Sequence, residues 1–230
     1  MTKITYPIII INTKTYPQTT KPKDAMKLAK QAEKVSRKTG ICIAVAPQTT
    51  QIHHLTENTN VPIFAQHVDP ITPGKNTGYT TPQAVKQAGA AGTLINHSEH
   101  QLKLTDVYTV IQLAKQNKLV TCVCANTPQT SQAVAALKPD MIAIEPPELI
   151  GTGIPVSKAQ PETITDTIKL VEKVNPKQKI LCGAGITKPE DVAAAIKLGT
   201  QGILVASGIV KAKNSYKIML QFAEAVEAER

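Results

Sequence analysis

Eight short aliphatic runs, spread along the whole chain and separated by segments of helical period, constrain this sequence more than any other feature. The runs are Pro7–Ile11, Ile41–Ala46, Pro62–Ala65, Thr93–Ile95, Leu119–Cys124, Met141–Ile144, Lys179–Cys182 and Gly202–Val205. Most are continuously apolar rather than alternating, the pattern of strands buried on both faces. Between them, Lys23–Thr39 places Met26, Ala29, Ala32 and Val35 on one stripe, and Thr105–Asn117 does the same with Val107, Val110, Ile111 and Ala114. Five more helices are expected over Pro82–Ala88, Pro128–Leu137, Pro161–Val174, Pro189–Leu198 and Asn214–Glu227. Several open on Pro, whose missing N–H costs nothing in a first turn. Lys-Leu-Gly at 197–199 and Gln-Ala-Gly at 87–89 read as helix stops.

Strand–helix alternation implies a parallel sheet with right-handed crossovers. Eight units fit a closed (β/α)8 barrel occupying residues 1–230 as one domain, although 230 residues is short for that fold. An open doubly wound sheet is the alternative. It calls for a glycine-rich turn after the first strand, where this chain has Asn12-Thr13-Lys14-Thr15-Tyr16.

The chain carries 26 Lys and Arg against 17 Asp and Glu, a net charge of +9. That balance raises a nucleic-acid reading. However, only Arg37 and Arg230 are arginine, Trp is absent, and aromatics make up 3%. Base-edge readout favours Arg, and single strands favour stacking platforms. Lys23, Lys27, Lys30, Lys34 and Lys38 form one helix face, so a solvated surface with an attraction for small anions is expected, not a nucleic-acid partner. No run reaches the ~18 apolar residues of a membrane span, and the start of the chain lacks the pattern of a secretory leader. A cytoplasmic protein with no membrane contact is expected. Cys42, Cys122, Cys124 and Cys182 fall in expected strands, where a free thiol acts as a small hydrophobe.

In a (β/α)8 barrel, chemistry gathers at the carboxyl ends of the strands. Here the first strand ends in Asn12 and Lys14, the fourth in Asn96-His97-Ser98-Glu99, and the sixth in Glu145, with Gly151-Thr152-Gly153 shortly after. The last two strands end in Gly183-Ala184-Gly185 and Ala206-Ser207-Gly208. Small-residue loops in those places suit phosphate held by backbone N–H groups. Taken singly, Glu145 could cap a helix, His97 could be structural, and Lys14 could be a surface lysine. Together on one face they form a phosphate site beside a carboxylate, an imidazole and an ammonium. No metal is expected: His97, Glu99 and His100 lack further ligands nearby in sequence.

Five stretches resemble triosephosphate isomerases, specifically their short archaeal-type branch. They are Ile11–Lys14, Asn96–Glu99, Ile144–Gly153, Cys182–Ile186 and Leu204–Ser207, all in order at barrel spacing. The resemblance implies a TIM barrel that interconverts dihydroxyacetone phosphate and D-glyceraldehyde 3-phosphate through an enediolate, in glycolysis and gluconeogenesis, without cofactor or metal. It makes Glu145 the base and His97 the neutral electrophile, kept neutral by a helix start at Ser98-Glu99. Lys14 would stabilise developing charge, Asn12 would hold a substrate oxygen, and Glu99 would position both. Phosphate would rest on Ile150, Gly151, Gly185, Ala206 and Ser207, with 146–153 as a hinged lid.

Three departures from the family pattern stand out. The lid has Pro147-Glu148-Leu149 where an aromatic is common, Gly185 replaces a Ser, and His100-Gln101 replaces a pair of arginines. The loop Pro70–Tyr79, with Gly74, Thr77 and Gly78, resembles the family's interdigitating loop. It implies a homo-oligomer, a tetramer by the archaeal pattern with a dimer as alternative. Two other classes remain open: another phosphate-binding barrel, such as an epimerase or aldolase, and a non-catalytic basic binding protein.

Overall fold

A computed structural model of the chain describes residues 4–146, 149 and 155–229; of residues 156 and 158 it describes the backbone. Eight strands form the sheet: β1 (Ile8–Asn12), β2 (Cys42–Ala46), β3 (Phe64–Ala65), β4 (Gly92–Ile95), β5 (Val120–Ala125), β6 (Met141–Ile144), β7 (Lys179–Cys182) and β8 (Gly202–Val205). All paired neighbours are parallel, in the order β2-β1-β8-β7-β6-β5-β4-β3. A bridge between Val45 and Ile63, with Val45 N–H donating to Pro62 C=O at 3.0 Å, joins the two ends. The ladder therefore closes into the expected (β/α)8 barrel.

The helices are α1 (Pro22–Thr39), α2 (Ile52–Asn58), α3 (Pro82–Gln87), α4 (Leu104–Gln116), α5 (Pro128–Ala136), α6 (Val156–Ala159), α7 (Pro161–Glu172), α8 (Pro189–Lys197), α9 (Ser207–Val210) and α10 (Ser215–Ala228). Proline at the first turn of α1, α3, α5, α7 and α8 presets helical φ without removing a needed donor. Thr81 and Thr127 cap α3 and α5 by accepting from Ala84 and Thr130 N–H. The lysine face of α1 is exposed, while Ala25, Leu28, Ala29, Ala32 and Val35 are buried. Helices α2, α6 and α9, absent from the periodicity reading, are seven, four and four residues long, too short to display a repeating stripe.

Each strand contributes to two cores in alternation, the period of two that a strand imposes. Ile8, Ile10, Ala44, Phe64, Leu94, Cys122, Met141, Ala143, Leu181 and Leu204 fill the barrel interior. Ile9, Ile11, Ile43, Val45, Ile95, Val123, Ile142, Ile180 and Ile203 face the helices. Burial on both sides explains the unbroken apolar runs. All four cysteines are buried and free. On the helical layer Glu33, 7% exposed, accepts from Arg37, Lys30 and both donors of Asn60, tying α1 to the turn before β3. Burial raises its pKa, but the Asn60 and Lys30 hydrogen bonds and the nearby cations outweigh that and hold the carboxyl below its usual range. Among the described residues, no helix is long and apolar enough to cross a membrane.

Candidate active site

Asn12 and Glu145 occupy the interior-facing phase of β1 and β6, two residues beyond Ile10 and Ala143, so the barrel register itself aims them at its mouth. His97 follows β4, and Lys14 follows β1. One pocket gathers Asn12, Lys14, His97 and Glu145 with Gly185, Ala206 and Ser207. Seven of the expected site residues thus meet in one place. Glu99 approaches from the side, its carboxylate 2.6 Å from Lys14 Nζ. Ile150 and Gly151 lie outside the described residues, as does most of the expected lid.

The first-strand turn is strained and held. Lys14 sits at φ +48°, a region that costs an ordinary residue about 1–3 kcal/mol unless neighbours fix it. Three bonds do so: Lys14 N–H donates to Asn12 Oδ1 at 2.9 Å, Thr13 N–H to Ala46 C=O at 3.0 Å, and Gln66 Nε2 to Lys14 C=O at 3.0 Å. Glu99 contacts Lys14 directly, and Asn12 is tied to it through the Lys14 backbone. Asn96, at φ +60°, plays the same part before His97. Its Nδ2 donates to Cys124 C=O, and its Oδ1 accepts from Leu102 N–H. Asparagine tolerates the left-handed region better than most residues.

His97 is buried, and its Nδ1 accepts the Glu99 backbone N–H at 3.1 Å. A nitrogen that accepts cannot carry the proton, so the proton belongs on Nε2. That nitrogen lies 3.6 Å from Glu145 Oε1. Burial, then the charge of Lys14, pushes the imidazole pKa down to about 4, with Glu99 opposing. The expected helix start at Ser98-Glu99 is not there. Residues 98–99 form a turn and α4 begins at Leu104, so one turn N–H sets the tautomer in place of a helix dipole.

Glu145 is 4% exposed, and its Oε2 has no hydrogen-bond partner among the described residues. Burial raises its pKa to about 7, with the Cys124 hydrogen bond and the Lys14 charge pulling the other way. A buried carboxylate titrating near neutrality, in a pocket with His97 and Lys14, is suited to take a proton from carbon. Gly183 makes room for it: a Cβ there would lie 2.4 Å from Glu145 Cγ. Sequence reasoning tied Gly183 to phosphate binding; its neighbour across the sheet is what demands a glycine. Gln66 and Cys124 were also missed, since only the fold brings them beside Lys14 and Glu145. His100, in the place of a common arginine, stacks on His67 with centroids 3.9 Å apart and planes 16° apart. Among the described residues, no group of three or more His, Cys, Asp or Glu could hold a metal ion.

A family model for triosephosphate isomerase matches residues 7–226. The triosephosphate isomerase of Methanothermus fervidus is 49% identical over 213 residues, covering 93% of this chain and 96% of the relative. That of Methanobrevibacter smithii is 50% identical over 214 residues, covering 93% and 96%. That of Methanocaldococcus jannaschii is 53% identical over 207 residues, covering 90% and 94%. With a match this long and this similar, the chain belongs to the triosephosphate isomerase family, in its archaeal-type branch.

Proposed function

We propose that the isomerase chemistry of this chain, the interconversion of dihydroxyacetone phosphate and D-glyceraldehyde 3-phosphate in glycolysis and gluconeogenesis, is carried by Glu145 and His97. The observation that carries this reading is their juxtaposition: Glu145 Oε1 lies 3.6 Å from His97 Nε2, while His97 Nδ1 is occupied by a backbone donor. Glu145 removes a proton from the carbon next to the carbonyl and returns it to the neighbouring carbon. His97, neutral, donates from Nε2 to the carbonyl oxygen and moves protons between the two oxygens. Lys14 and Asn12 stabilise the negative charge of the enediolate, and Glu99 holds the Lys14 ammonium in place. Backbone N–H groups at Gly185, Ala206 and Ser207, with Ile150 and Gly151 from the lid, hold the phosphate. No cofactor or metal enters the scheme.

The same reading extends to assembly and location. The chain works in the cytoplasm as a homotetramer, with a dimer as the smaller active unit. Residues 72–75 and 77–79 of the long loop are exposed, and a cleft lined by Lys14, Glu99, Gln66 and His100 opens beside the active site. A loop from a second copy fits that cleft. Leu104 and Tyr108, one turn apart on α4, are 55% and 52% exposed, an apolar pair suited to a further contact.

The test is a coupled assay with D-glyceraldehyde 3-phosphate and an enediolate-analogue inhibitor. Glu145→Gln is expected to lose most turnover while still binding the inhibitor. Glu145→Asp, which draws the base back by one methylene, is expected to cost about 10²-fold. Wild-type turnover in either variant would remove Glu145 from the role of base.

A further inference from the structure

The loop between β7 and α8 forms one wall of the pocket, through Gly185, Ile186 and Thr187. Behind that wall, in the first turn of α8, lies Asp191, 1% exposed. Its Oδ2 accepts hydrogen bonds from Lys188 N–H at 2.9 Å, Thr187 N–H at 3.1 Å and Thr187 Oγ1 at 3.3 Å. The bond to Lys188 N–H is what an acidic side chain in a first turn contributes to any helix start. Both bonds to Thr187 exceed that need. They fix the backbone and the side chain of a residue that lines the site.

Two further contacts hold the same unit. Ser157 Oγ, from α6, donates to Asp191 C=O at 3.3 Å. On the other side α9 lies flush against the loop: a Cβ on Gly208 would fall 2.5 Å from Ile186 C=O oxygen and 3.2 Å from Thr187 Cα. The β7 loop is therefore set between a buried carboxylate and the backbone of α9. Ala206 and Ser207, at the start of α9, line the same pocket.

We propose that Asp191 is a positioning residue for phosphate recognition, holding the 185–187 backbone in register with Ala206 and Ser207 so that their donors converge on one dianion. This rests on the isomerase reading given above. Asp191 does not line the pocket, and the proton-transfer pair stands just after β6 and after β4. Its loss should therefore weaken the use of phosphate and leave proton transfer alone.

The experiment compares kcat/KM for D-glyceraldehyde 3-phosphate with that for unphosphorylated D-glyceraldehyde. In Asp191→Ala the phosphorylated substrate is expected to lose about tenfold, and the unphosphorylated one to stay within about twofold. Asp191→Asn, which keeps an acceptor oxygen, is expected to recover most of that loss. Gly208→Ala, which presses on the same loop from the opposite face, is expected to reproduce the selective loss, and it decides the matter if Asp191→Ala fails to melt cooperatively. Parallel losses on both substrates, or no loss on either, would overturn the proposal and leave Asp191 a helix cap. A failure of the isomerase reading shows separately, as wild-type protein that does not turn over glyceraldehyde 3-phosphate.

Discussion

Adding one methyl group at Gly183 provides a severe test of how the barrel places Glu145. The new Cβ would stand 2.4 Å from Glu145 Cγ and 3.1 Å from both its Cδ and Oε1. Carbon atoms settle at roughly 3.5–4.0 Å, so the contact must open by about 1 Å or more. The backbone is poorly placed to yield. β6 and β7 are paired from Met141–Lys179 through Ile144–Cys182, and Gly183 N–H donates to Ile144 C=O at 2.9 Å. The Glu145 side chain must move instead. A displacement of about 1 Å at a reacting group costs about 10²-fold, or about 2.7 kcal/mol of barrel-mouth alignment at 1.36 kcal/mol per decade. Overpacking should also cost the fold about 1–3 kcal/mol. Steady-state kinetics of Gly183→Ala on D-glyceraldehyde 3-phosphate should show the loss mainly in kcat, with circular dichroism reporting an intact barrel. A folded variant with kcat within about threefold of wild type would refute the argument that this glycine exists to seat Glu145.

The remaining predictions concern pH and assembly. Because burial lifts Glu145 to about 7, kcat/KM should fall as pH drops through neutrality, while His97, held near 4, stays neutral across that range. For stability the sign is opposite for the two groups. The raised Glu145 pKa favours the fold fully below its unfolded value, and that contribution is lost as pH rises through about 7; the depressed His97 pKa costs stability as pH falls from 6.5 through about 4. Glu145→Gln should therefore unfold at higher urea than wild type at pH 8, by on the order of 3 kcal/mol, and show little such gain at pH 4; an equal difference at both pH values would refute this. Leu104→Glu combined with Tyr108→Glu should turn a tetramer into an active dimer by sedimentation, and a persisting tetramer would place the second contact elsewhere.

The strands were legible in the sequence because a barrel strand is buried twice, once inside and once under the helices. Ile8–Ile11 reads as an apolar block for that reason alone. The helices that display several turns of stripe, such as α1 and α4, were equally plain. What the chain order hid was contact across the sheet. Gly183 and Glu145 are far apart in sequence yet face each other just beyond the ends of adjacent strands. Gln66 reaches back across 52 residues to Lys14 C=O, and Asp191 acts from behind a loop that motif reading assigned to glycine. The tautomer of His97 hung on a single N–H of a turn, which the sequence presented as a helix start. Residue identity marked the groups that the pocket gathers; the groups that fix their positions have no signature apart from the fold.

The four cysteines carry a consequence of their own. Cys42, Cys122, Cys124 and Cys182 are all enclosed, and burial raises each thiol pKa, that of Cys182 to about 12. An oxidant attacks the thiolate, and the folded barrel offers almost none. Oxidative ageing of this enzyme is thus governed by how often the barrel opens, not by the chemistry of any one sulfur. The interior that keeps Glu145 dry enough to titrate near neutrality also keeps its neighbour Cys124 out of reach.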